Sequence, residues 1–189
     1  MAVPVSEKKL SLEQFLELEE RHPERRFKPA ANGAVIEMSP GWMHGKLQLR
    51  LGKLLDNWLD AGSLPGYAVG TEPTHDLDGW LCIPDVAIQL ENADPYPGVA
   101  PLLAVEIESK SNTRSELRAK AGRYLEHGTR MVWLVYPESR SLELCRPGEE
   151  LQTLSGADLV EGGATLPGFR VSVNELFPPL PTGDGQRRP

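Results

Sequence analysis

At 189 residues, 40% apolar and 25% charged, the chain has the size and composition of one ordinary globular domain with a core of its own. No apolar run approaches the ~18 residues of a membrane span, and the opening MAVPVSEKKL lacks the apolar centre of a secretory leader, so a cytoplasmic protein with no membrane partner is expected. A net charge of −7 argues against a non-specific nucleic-acid coat, yet Lys110 to Arg130 carries six Lys/Arg against Glu116 and Glu126, a local +4.

In chain order, Ser11 and Gln14 form a capping box, and Leu10 and Phe15 are spaced as a hydrophobic staple, so a helix begins after Ser11. RFKPA and AVIEMS flank Asn32-Gly33 and predict a hairpin with a two-residue primed turn. Leu47, Leu51, Leu54, Leu55 and Trp58 recur at helical spacing, which predicts a helix over 43–60 that ends near Gly62. Strands are predicted at GYAVGTE and LCIPDVAIQL, then a loop at ENADPYPGVAP, then a strand at LLAVEIE. Thr113 and Glu116 open a second capped helix, which His127-Gly128 closes. RMVWLVYP is a buried strand with SLELCRPG as its hairpin partner, and ATLPGFRVSVNELF an edge strand with a short helix. The domain is expected to span 1–178, with the Pro/Gly-rich stretch 179–189 a disordered tail. Cys82 and Cys145 sit in apolar runs and read as small core residues of a reducing compartment; His22, His75 and His127 read as surface residues.

The chemistry gathers around LLAVEIESK. Glu106 and Glu108 are two apart and so leave the strand on one face, among Leu102, Leu103, Ala104, Val105 and Ile107. A carboxylate held in such surroundings is strongly disfavoured unless a metal ion or a cation compensates it. Asp85 is a second acid in an apolar run, directly after Pro84. Lys120 borders the apolar stripe of Leu117, Ala121, Tyr124 and Leu125 on the next helix. One inward carboxylate on each of two strands, followed by a lysine, suits magnesium or manganese and hydrolysis of a phosphodiester. A buried carboxylate–lysine network with no metal accounts for the same residue types.

IPDVAIQL, PLLAVEIESKSN and RAKAGRYLEHGTRMVWLVYPESRSLELCRPG resemble the Uma2-type (DUF820) family, within the PD-(D/E)XK restriction-endonuclease-like superfamily; GAVIEMSPGWMHGKLQLRLGKLL and TLPGFRVSVNELF add to the likeness, which covers roughly residues 10 to 178. The resemblance implies an α/β fold of the α+β kind, a mixed sheet flanked by helices, with an N-terminal helix and hairpin. It implies a metal-dependent endonuclease in which Asp85, Glu106 and the carbonyl of Ile107 hold magnesium or manganese. Lys120 matches the lysine that assists the attacking water, Lys110 competes for that role, and Glu108 stands where the superfamily pattern has its lysine. Glu37 and His44 match accessory positions near the metal. Lys28 and Ala34 stand where the family usually carries acids. Lys110, Arg114 and Arg118 are the expected contacts to a nucleic-acid backbone, DNA rather than RNA, and a homodimer is expected to lengthen that contact. Cleavage would leave a 5′-phosphate. The competing expectation is a non-cleaving binding or assembly module on the same fold, with Asp85, Glu106 and Lys120 as its buried ion network.

Overall fold

The computed structural model describes residues 4–6, 9–30, 32–38, 41–91, 94–109 and 112–179; the tail expected at its end and Lys110 lie outside the described residues, apart from Pro179. The elements are β1 (Pro4–Ser6), α1 (Leu12–Arg21), β2 (Phe27–Pro29), β3 (Val35–Glu37), α2 (Trp42–Asp60), β4 (Tyr67–Thr71), β5 (His75–Leu77), β6 (Trp80–Cys82), β7 (Val86–Leu90), β8 (Leu103–Ile107), α3 (Arg114–Glu126), β9 (Met131–Tyr136), β10 (Ser141–Cys145), β11 (Gln152–Ser155), β12 (Leu159–Glu161), β13 (Arg170–Ser172) and α4 (Val173–Leu176).

A six-stranded sheet in the order β11-β10-β9-β8-β7-β4 forms the centre. β8 and β9 run parallel, and α3 is the crossover that a parallel pair requires; the other neighbours are antiparallel. Strand alternation sends Leu103, Val105 and Ile107 of β8 to the face covered by Leu47, Leu51 and Leu55 of α2. Ala104 goes to the other face, against Leu117, Ala121 and Tyr124 of α3. Glu106 has the same parity as Ala104 and so enters the α3 side as a charge in an apolar layer. Burying each of these leucines contributes about 1.5–3 kcal/mol, which holds both helices against the sheet. A third cluster joins Phe15 of α1 to Phe27, Val35, Leu81 and Ile83, and seats the hairpin β2–β3 on the molecule.

Both expected capping boxes form, Ser11 with Gln14 and Thr113 with Glu116. The expected hairpin forms too, but Lys28 pairs with Ile36 and Pro29 with Val35, and Ala30 N–H donates to Ala34 O. That register makes the connection three residues long, with Gly33 at φ +87° and Asn32 Oδ1 accepting from Ala34 N–H. A two-residue primed turn occurs instead at Asp78-Gly79, both at positive φ, between Leu77 and Trp80 of β5 and β6. The run LCIPDVAIQL is not one strand. Pro84 has no N–H to donate, and the run divides there into β6, part of the small β5–β6 ribbon, and β7 of the main sheet. The C-terminal strand β13 pairs with β12 in a separate ribbon, while the edges of the main sheet are β11 and β4. Cys82 and Cys145 are free and buried. His75 is fully buried, against the surface reading, with Nδ1 3.1 Å from Val99 O.

Candidate active site

The break at Pro84 positions the first acid. Asp85 sits one residue before β7, its N–H donating to Val105 O of β8 at 2.9 Å, and its carboxylate turned to the α3 side. Asp85 Oδ2 accepts the Ile107 N–H at 2.6 Å, which ties the two strands together beneath the site. Gln48 of α2 donates from Nε2 to Asp85 O at 2.9 Å and fixes the turn.

Glu106 lies beside it, 2% exposed. Its Oε1 accepts from Tyr124 O–H at 2.9 Å and is 2.6 Å from Lys120 Nζ; both partners come from α3, four residues apart on one helical face. Lys120 Nζ also donates to Ile83 O at 3.3 Å, so the lysine points inward rather than snorkelling out. Burial pushes its ammonium below the ordinary lysine value, with Glu106 opposing and the charge of Lys28 adding to the push. Burial and the neighbouring Glu106 hold the Tyr124 hydroxyl well above its ordinary value, so it remains a donor.

Sequence reasoning noted Lys28 only as standing where the family usually carries an acid, and the structure brings it into the site. From β2 its Nζ reaches down to within 2.6 Å of Asp85 Oδ1 and 3.7 Å of Glu106 Oε2. Burial alone would favour the neutral amine, but the charges of Asp85 and Glu106 outweigh it and hold the Lys28 pKa above the ordinary value. Asp85 is held well below its ordinary value: burial would raise it, and Lys28 and His44 more than offset that. His44, in the first turn of α2, has Nε2 3.4 Å from Asp85 Oδ1, while its buried Nδ1 has no hydrogen-bond partner among the described residues.

Above these groups lies a cavity of about 710 Å³. Asp85, Glu106 and Lys120 line its floor, Lys28, Pro29, Ala34, Ile36 and Met38 of the hairpin its roof, and Thr113, Ser115 and Leu117 of α3 one wall.

Other expected site residues stand apart from it. In β3 the alternation that aims Ile36 and Met38 at the cavity turns Glu37 away, and Glu37 pairs with Arg25. Glu108 lies beyond the end of β8, partly exposed and 3.8 Å from Arg114. Arg114 stacks over the Tyr136 ring at 4.1 Å and donates to Ser139 Oγ. Arg118 binds Glu143 through two hydrogen bonds of 2.9 and 2.6 Å, and Glu143 is itself buried and accepts from Tyr136 O–H. The basic segment is thus largely committed to partners within the chain.

Among the described residues no three His, Cys, Asp or Glu side chains cluster so as to hold a metal ion. The donors are nonetheless of the right kind for magnesium or manganese, two hard carboxylates from adjacent strands facing one cavity. The ammonium of Lys28 stands between them as a cation would.

The family profile of Uma2, described as "Putative restriction endonuclease", matches residues 12–174. The chain belongs to the Uma2 family. Its fold is that of restriction-endonuclease-like proteins. The crystal structure of a "putative nuclease belonging to DUF820" from Anabaena variabilis superposes with a TM-score of 0.76 at 18% identity, covering 89% of this chain and 97% of that one. A DrdV–DNA complex matches at a TM-score of 0.35 and 18% identity, over 60% of this chain and 85% of that one, a likeness too slight to support any conclusion. No curated protein matches the sequence. No helix among the described residues is long and apolar enough to cross a membrane.

Proposed function

We propose that this Uma2 chain is an endonuclease that hydrolyses phosphodiester bonds of nucleic acid, DNA in preference to RNA, with its centre at Asp85, Glu106 and Lys120. The observation that carries this reading is the convergence of those three side chains on the floor of one cavity, each nearly buried, from the turn before β7, from β8 and from α3. Asp85, Glu106 and the Ile107 carbonyl would hold magnesium or manganese, which when bound lowers the pKa of water and polarises a phosphate. Ile107 N–H and Tyr124 O–H fix the two carboxylates from behind. Lys120, with its pKa lowered by burial, takes up or delivers a proton at Nζ, or as the ammonium stabilises charge developing on the phosphate. The hairpin roof limits the entry of water. Lys110, Arg114 and Arg118 supply backbone contacts, Arg118 by exchanging Glu143 for a phosphate. Two copies acting together would lengthen the contact with a duplex.

The test is cleavage of plasmid DNA and of single-stranded RNA in magnesium or manganese, with the 5′ ends of the products identified. Wild-type cleavage that Asp85→Asn and Lys120→Met abolish, each variant folded by circular dichroism, supports the assignment. Equal cleavage by either variant overturns it. One observation favours a second reading, a non-cleaving module: both Asp85 oxygens and Glu106 Oε1 already have close protein donors. Absence of cleavage together with absence of manganese binding would select that reading.

A further inference from the structure

We infer that Lys28 is a tethered cation that occupies the metal position between Asp85 and Glu106, so that a divalent ion binds there only by displacing it. The inference rests on the reading of Asp85 and Glu106 as metal ligands. It begins from the charge count. Two carboxylates meet two ammoniums, Lys28 and Lys120, and the set is neutral in the closed structure. A divalent ion added with both charged lysines in place would leave two net positive charges among side chains that are themselves nearly buried, which is strongly disfavoured. One lysine must therefore withdraw or give up its proton, and Lys28, whose charge its two acids hold in place, can do so only by moving.

The geometry selects which one. Lys120 is held on α3 by Glu106 Oε1 and by Ile83 O, to one side of the carboxylate pair. Among the described residues Lys28 alone lies within 4 Å of both acids, and it bridges the turn before β7 and the strand β8 that carry them. It belongs to a hairpin outside the six-stranded sheet and lines the cavity roof, so its side chain can retract into the cavity without breaking a ladder of the main sheet. The methylene stem of a lysine has the freedom for that movement, whereas a carboxylate fixed by a backbone N–H does not.

The experiment is calorimetric titration of manganese into wild type, Lys28→Met and Lys28→Met/Glu106→Gln, with each protein also melted in chelator and in manganese. Lys28→Met is expected to bind manganese at least roughly tenfold tighter than wild type, since the ion no longer competes with a close buried charge. The added Glu106→Gln should remove that gain. In chelator Lys28→Met should melt below wild type, because two carboxylates then face each other with one ammonium between them, and manganese should restore it by a larger shift than it gives wild type. Wild type binding as tightly as Lys28→Met overturns the inference while leaving the metal site standing. Binding to neither protein overturns both this inference and the metal-dependent reading. A Lys28→Met chain that stays unfolded in manganese also overturns it, since the ion would then be unable to replace the ammonium.

Discussion

Replacing Glu106 by Gln keeps the shape of the side chain and removes one charge from between two lysines. At an effective dielectric of ~20, the contact with Lys120 at 2.6 Å represents about 6 kcal/mol of attraction and that with Lys28 at 3.7 Å about 4 kcal/mol. The full sum is not lost. Lys28 keeps Asp85, and the glutamine amide still accepts from Tyr124 or Lys120. Removing one partner of a buried pair costs about 3–5 kcal/mol, and that is the expected loss at neutral pH. The pH dependence follows from Lys120. Burial already holds its pKa below the ordinary 10.5 against the opposing pull of Glu106, so removing Glu106 lowers it further. Below the folded-state value the buried charge destabilises in full. As pH rises through that value toward 10.5, the native state sheds a proton that the unfolded chain retains, and stability recovers. Urea denaturation followed by far-UV circular dichroism, at about pH 7 and about pH 9.5, reads both effects. A loss below about 1 kcal/mol at neutral pH, or a difference from wild type that widens with rising pH, would refute the reasoning.

Arg118→Ala removes both hydrogen bonds to buried Glu143, whose carboxyl lies below its ordinary value through the Arg118 contact, against burial, with Tyr136 assisting. The melting temperature should fall at neutral pH, and the difference should shrink as pH drops below the ordinary 4.5, where wild type loses the same contribution; a difference independent of pH would count against the pair. Gly33→Ala places a Cβ at φ +87°, 3.4 Å from Lys9 Cβ, and should destabilise by about 1–2 kcal/mol. Faster hydrogen exchange at the Ala30 and Met38 amides would locate that loss in the hairpin, and unchanged exchange there would separate the turn from hairpin stability.

How much of this was legible in the sequence depended on how local the signal was. The two capping boxes and the α2 stripe rest on side chains three or four residues apart, and each was readable, whereas spacing put Lys120 at the border of the α3 stripe without fixing which way it turns. The placement of Asp85 beside Glu106 needed the pairing of β7 with β8, which the motif resemblance anticipated and periodicity did not. Lys28 was beyond local reading. In Phe27-Lys28-Pro29 the lysine alternates with two buried residues, a pattern that normally means a solvent-facing side chain, yet here the second face of the hairpin covers a cavity. The pairing of Arg118 with Glu143 was likewise beyond local reading, since Glu143 comes from a strand 25 residues further on. The Asp78-Gly79 hairpin carried a turn signal that the sequence reading left unused, and the three-residue loop at Asn32-Gly33 was not legible, because the register is set by burial of Phe27 and Val35 rather than by the turn.

The site draws its parts from very different distances along the chain. Tyr124 and Glu106 are separated by 18 residues, within one strand–helix unit, whereas Lys28 and Asp85 are separated by 57. Closing the longer loop costs about 1 kcal/mol more in chain entropy, before any strand pairing is counted. The α3 side of the site can therefore organise as a nearly local structure, while the roof waits for a sheet made from residues synthesised long after it. Lys28 is the first of these charges to leave the ribosome, and its partner Asp85 follows 57 residues later.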